Sequence, residues 1–185
     1  MSVLGMVEFS AIAVGIRGSD AMVKAAPVEL IESRPITPGK YISLVTGDVA
    51  SVDASVRAGI EAARDAGVVE SFVLANLHDL VMPAIRGKTA PTEIHAIGVL
   101  ETSSAAAIVE AADAACKAAP VALLQLHLAN HIGGKGYTTF TGSVADVEAS
   151  VAAGALVAGA RLVERVVIPN PYPELNAYLT RRHSW

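Results

Sequence analysis

The chain has 185 residues, 52% of them hydrophobic and 17% charged, with 14 Lys and Arg against 18 Asp and Glu for a formal charge of −4. That length suits one ordinary domain or two small ones, the composition excludes a disordered or acidic solvating segment, and the lack of a basic cluster argues against nucleic acid as a partner. Cys116 is the single cysteine, so one chain can build neither an internal disulfide nor a Cys-based zinc cage, which points to a reducing, cytosolic setting. The best candidate for a membrane span, ASVAAGALVAGA at 149–160, falls short of the roughly twenty apolar residues a bilayer requires. The first ten residues lack the charged flank and long apolar run of a signal peptide. The expectation is a soluble chain, with no lipid membrane as partner, whose surplus apolar surface is buried between subunits.

In chain order, residues 3–9 read as a β-branched strand, followed by a small-residue helical stretch that stops at KAAP before Pro27. Residues 28–31 read as a second strand, 41–46 as a third after a glycine-containing loop, and Asp48 as the N-cap of a second helix. That helix carries Val52, Val56, Ile60 and Ala63 on one face, with Gly67 as its stop, and residues 68–74 form a fourth strand. The same series then recurs. DAMVKAAPVELI at 20–31 returns as DAACKAAPVALL at 113–124, with eight of twelve positions identical. GDVASVDASVRAG at 47–59 returns as GSVADVEASVAAG at 142–154, with nine of thirteen identical. Strands are expected again at 95–100, 121–128, 137–141 and 162–168, with Ser143 as the N-cap, and Leu124, Leu126 and Leu128 alternating to give one apolar face. Residues 5–8 likewise match 98–101 and residues 70–76 match 164–170, and four blocks in the same order make a tandem duplication. The expected domains are 1–88 and 94–185, hinged in GKTAPTE at 87–93, and each is a ferredoxin-like βαββαβ unit of the α/β (α+β) kind with a helical tail.

The KAA helices before VELI and VALL, the GK-containing loops and the paired GDVA/GSVA helices resemble bacterial microcompartment shell domains. Two copies in unpermuted order resemble the tandem, trimer-forming shell proteins, and PITPGKY at 35–41, VLANLH at 73–78 and HIGGKGY at 131–137 resemble the propanediol-utilisation subtype. The resemblance implies a structural protein and no enzyme: a homotrimer imitating a six-domain hexagonal tile, packed edge to edge with other shell proteins around encapsulated enzymes. It implies further that the loop between the second and third strands lines a central pore for small metabolites or electrons; a small hydroxyl, backbone amides and nearby lysines in these loops are expected to favour small polar or anionic metabolites. The pore-lining residues would be Thr37, Pro38 and Gly39 alternating with Ile132, Gly133 and Gly134, with Lys40, His131 and Lys135 nearby. The tile edge would carry Lys24 and Lys117, together with Asn76, His78 and Asn170, where the family has a more basic turn. Relatives of this subtype that hold an iron–sulphur cluster place a cysteine where Thr37 stands; a hydroxyl is not a cluster ligand, so no cofactor is expected.

Other patterns have plain readings. Tyr41 and Gly136 follow the two Gly-Lys pairs, so neither completes the G-x-x-x-x-G-K-[ST] phosphate loop. His127 and His131 are four apart but read as strand then loop, so no metal site is expected. Cys116 is expected to be a small buried residue. Glu8 and Glu101 recur at the ends of equivalent strands, which favours a shared structural job such as bonding backbone amides at the strand–helix junction. A ferredoxin-like small-molecule-binding sensor is the alternative function.

Overall fold

The computed structural model describes residues 2–64, 67–89 and 93–179. Strand β1 (Ser2–Phe9) is followed by α1 (Ile12–Ala25), β2 (Glu29–Ile36), β3 (Lys40–Gly47), α2 (Val49–Ala63) and β4 (Val68–Leu77). β1 pairs antiparallel with both β3 and β4, and β2 pairs antiparallel with β3, in the order β2-β3-β1-β4. Alternate residues of β1, Val3, Val7 and Phe9, join Met22, Tyr41, Val45, Val52 and Val56 in the core beneath the helices. After the short helix α3 (Val81–Ile85) the pattern repeats as β5 (Ala96–Thr102), α4 (Ala105–Ala118), β6 (Ala122–Leu128), β7 (Gly136–Gly142), α5 (Val144–Ala158) and β8 (Leu162–Ile168). A one-turn 3-10 helix (Gly159–Arg161) precedes β8, and α6 (Pro173–Leu179) follows it. The second sheet has the matching order β6-β7-β5-β8. Two βαββαβ units with helices on one sheet face are the fold class that the repeat predicts.

The compact units are Met1–Leu77 and His78–Trp185. The repeat assigns residues 78–88 to the first domain, whereas packing groups α3 with the second unit, against β6 and α4. Residues 90–92 of the GKTAPTE hinge lie outside the described residues.

Local chemistry explains the helix starts. The Asp48 carboxylate accepts the Ser51 N–H at 2.9 Å, and the Ser143 hydroxyl accepts the Asp146 N–H at 3.2 Å, as expected of N-caps. Ser104 caps α4 in the same way through the Ala107 N–H at 3.1 Å. The end of α2 differs from expectation. The helix stops at Ala63, Arg64 takes a left-handed φ of 61° and returns its N–H to the Glu61 carbonyl. Gly67 serves close approach instead, since a Cβ there would stand 2.8 Å from Val14.

Tertiary pairing also extends β2 to Ile36, well beyond residue 31. Its polar run Glu32-Ser33-Arg34 and Pro35 are tolerated because this is an edge strand. β2 and β6 each shift register by one residue, between Leu30 and Glu32 and between Leu123 and Gln125. This bulge sets Leu123 and Leu124 both inward and leaves Leu126 half-buried, so the simple leucine alternation does not hold.

The two cores fill one equivalent space in opposite ways. In the first unit Gly15 of α1 leaves room for the Tyr41 side chain from β3. In the second, the matching α4 position is Ile108, and the matching β7 residue is Gly136, where a Cβ would stand 2.6 Å from that of Ile108. The bulky side chain comes from the strand in one copy and from the helix in the other. Tyr41→Gly alone is expected to cost about 3 kcal/mol or more by opening a core cavity. Gly15→Ile combined with Tyr41→Gly should recover about half of that loss or more, measured as urea midpoints and read as a double-mutant cycle.

Candidate functional site

The loops expected to line a pore are the β2–β3 and β6–β7 connections. In the first, the Gly39 N–H donates to the Ile36 carbonyl at 3.0 Å, across a cis Thr37–Pro38 bond. In the second, the Lys135 N–H reaches the Ile132 carbonyl at 3.4 Å. Gly39 at φ 89° and its counterpart Gly134 at φ 85° both need the left-handed region that glycine enters without cost. The longer second loop also turns left-handed at Ala129, His131 and Gly133. Pro38, Gly39, His131 and Gly133 are exposed, Thr37 and Ile132 half-buried.

Each loop is tied to its sheet by a lysine at its foot. Lys40 Nζ donates to Glu8 Oε1 at 2.8 Å, and Lys135 Nζ donates to Glu101 Oε1 at 2.7 Å. The recurrent glutamates therefore share a structural job, as the repeat suggested, and part of it is to hold the loops. The repeat itself signalled this, since Glu8/Glu101 and Lys40/Lys135 recur together. Glu8 is fully buried while Glu101 is partly open. Both loop cations are paired at their base.

Among the expected edge residues, Lys24 pairs with Asp20 at 2.6 Å and Lys117 with Asp113 at 2.5 Å, each one helical turn apart. Asp113 also accepts the His78 N–H at 2.8 Å, so the structure brings His78 and Lys117 to one carboxylate. Asn76 and Asn170 are exposed at the ends of the β4 and β8 strands. Asn170 also lines an open groove of about 700 Å³ with His95, Ser143, Pro173 and Asn176, which the sequence reading did not identify. His127 stacks on the Tyr137 ring at 5.1 Å, and no group of three His, Cys, Asp or Glu among the described residues is arranged to hold a metal ion. No helix among the described residues is long and apolar enough to cross a membrane.

The units differ most in which faces they leave open. On α4, Ala105 and Val109 are 0% exposed and Cys116 5%; the matching residues of α1, Ile12, Ile16 and Val23, are 42%, 57% and 41% exposed. The sheet face away from the helices reverses this order. Met6 and its neighbour Phe72 are buried, while the matching Val99 is half-buried and Val166 is 43% exposed.

Two helix-backed antiparallel sheets in tandem, each with a glycine-turned loop anchored by a Glu–Lys pair, define a duplicated ferredoxin-like building block with open faces of two kinds. The BMC domain family matches residues 3–77 and 96–171. The chain belongs to that family and is a tandem-domain microcompartment shell protein. It is 41% identical over 174 residues, 93% of this chain and 94% of the relative, to the bacterial microcompartment shell protein PduT of Citrobacter freundii. A crystal structure of a microcompartment protein from Desulfitobacterium hafniense shares 46% identity at a TM-score of 0.88, covering 96% of this chain and 99% of that one. The probable carboxysome shell protein CsoS1E of Prochlorococcus marinus is 41% identical over 86 residues, 45% of this chain and 42% of that protein.

Lys40→Met, which removes the cation paired with the buried Glu8 carboxylate, should cost about 3 kcal/mol in urea unfolding. Adding Glu8→Met should bring stability back to within about 1 kcal/mol of the parent; a double variant no more stable than Lys40→Met would show that the loss comes from the missing pair itself and not from leaving the buried carboxylate without its cation. Burial, with a smaller contribution from Asp113, pushes the Cys116 thiol up to about 12 from 9.0. The folded thiol stays protonated where the unfolded one ionises, so stability should fall as pH rises above about 9, and Cys116→Ala should remove that decline. At pH 8 native Cys116 should resist alkylation, with thiolate on the order of one part in ten thousand, and react on unfolding.

Proposed function

We propose that the protein is a homotrimeric, pseudohexameric tile of a microcompartment shell in the bacterial cytoplasm, with a structural rather than enzymatic role. The observation that carries this reading is the complementary exposure of the two units. One chain presents an unmatched helix face on its first unit and an unmatched sheet face on its second. Two different open faces on one chain suit a head-to-tail contact, which closes into a ring when the rotation allows. The relative PduT is called a microcompartment shell protein, and its likeness spans nearly all of this chain.

In this reading the domains are the two repeats, and Thr37, Pro38 and Gly39 alternate with Ile132, Gly133 and Gly134 around the pore. Lys24, Lys117, Asn76, His78 and Asn170 face neighbouring shell proteins at the tile edge, and encapsulated enzymes lie within the shell. No iron–sulphur cluster is assigned, because the Thr37 hydroxyl does not fit as its ligand. Lys40 and Lys135 stand near the pore, but each is neutralised by its own glutamate. The pore therefore suits small polar solutes without strong preference for anions.

The native mass of the purified chain should equal three copies, with no visible absorbance in an anaerobic sample. A monomer would overturn the tile and favour the sensor. A brown trimer would overturn the cluster-free reading. Reversal potentials across planar bilayers should show little anion–cation selectivity for the parent, whereas Glu101→Gln, which frees the Lys135 charge, should shift selectivity several-fold toward anions.

A further inference from the structure

The segment after the last strand of each repeat has two different settings. After β4, residues 78–85 pack against α4 and β6, with Val81 and Ala84 of α3 buried and the His78 N–H donating to Asp113 Oδ1. After β8, residues 172–179 repeat this pattern in register from the shared asparagines Asn76 and Asn170: Tyr172 stands for His78, Leu175 for Val81 and Tyr178 for Ala84. Here the apolar residues face solvent, with Leu175 38% and Tyr178 62% exposed.

A helix face that is closed in the second unit is also open in the first. Ile12, Ile16 and Val23 of α1 and Leu30 of β2 are exposed, whereas their counterparts Ala105, Val109, Cys116 and Leu123 are buried. Asp20 repeats the role of Asp113 toward the helix lysine, holding Lys24 through Oδ2, and has no second partner among the described residues. One chain thus carries an uncovered clasp and an uncovered seat of matching chemistry.

We propose that α6 of one copy packs over α1 of the next, as α3 packs over α4, with the Tyr172 N–H donating to Asp20 of the neighbouring chain. The occupant of the α1 face is residues 172–179 of a second copy. Each contact repeats around the ring, so the clasp closes the trimer through the same contact that already joins residues 78–85 to the second repeat. Larger side chains on both surfaces, Ile12 and Ile16 against Leu175 and Tyr178, bury more apolar area at each chain-to-chain step than the internal contact does.

This inference rests on the tile reading, and the test separates the two. In a Cys116→Ala background, Asp20→Cys with Tyr172→Cys is treated with a short bis-maleimide and run on a denaturing gel; native mass is measured in parallel. His78→Cys with Asp113→Cys, linked within one chain, is the positive control. Bands of two and three chains are the expected result. Leu175→Asp with Tyr178→Asp should in addition raise the trimer dissociation constant tenfold or more. A trimer that neither cross-links nor weakens overturns the clasp and leaves the tile standing. A link confined within one chain overturns it as well, and a monomeric parent overturns both.

Discussion

The structure depends on how closely each α2-type helix approaches the central strand of its sheet. A Cβ on Gly5 would stand 2.6 Å from Val52 and 2.7 Å from Val56, and one on Gly98 would stand 2.7 Å from Val151 and 2.8 Å from Val147. Both sheets are therefore built around a missing side chain at the same point. That approach lets valines interdigitate with the strands at interior packing density. It also lets the two helices of each unit meet through small residues, as where Gly59 faces Met22 and Gly154 approaches the Ala111 carbonyl.

Within this shared frame, the copies diverged by compensated exchange. Gly15 with Tyr41 and Ile108 with Gly136 place one large side chain in the same space from opposite walls. The first unit also gathers Ser19, Ser33, Tyr41 and Ser43 into a hydroxyl cluster. The second has Ala112, Leu126, Gly136 and Thr138 at those positions. A buried hydroxyl needs partners, and the one that the second unit keeps, on Thr138, donates to the Gln125 carbonyl instead. Such divergence frees the outer faces to differ, and it is there that a duplicated chain can acquire two unlike contacts for a ring of its own copies.

The loops follow a different logic. Their glycines allow the tight left-handed turn, and their lysines anchor the turn to a glutamate on the central strand. The anchor neutralises the nearest fixed charge, so loop shape and loop electrostatics are set by one pair of residues.

Much of this was legible in the residues. The duplication, the strand and helix order, the N-caps Asp48 and Ser143 and the family all rest on local pattern and on recurrence, which one chain displays twice. Chain order alone did not reveal that residues 78–85 settle on α4, that β2 runs through Pro35 to Ile36, or that the register slips at Ile31 and Leu124. Those outcomes depend on hydrogen bonds and contacts between segments far apart in sequence. The same holds for the faces left uncovered: Val23 and Cys116 occupy equivalent turns of equivalent helices, yet one is 41% exposed and the other 5%. Sequence by itself determined what each repeat is, because periodicity and capping act within a few residues; tertiary structure decided what each repeat still needs to bury, because burial is a property of the neighbours and not of the residue.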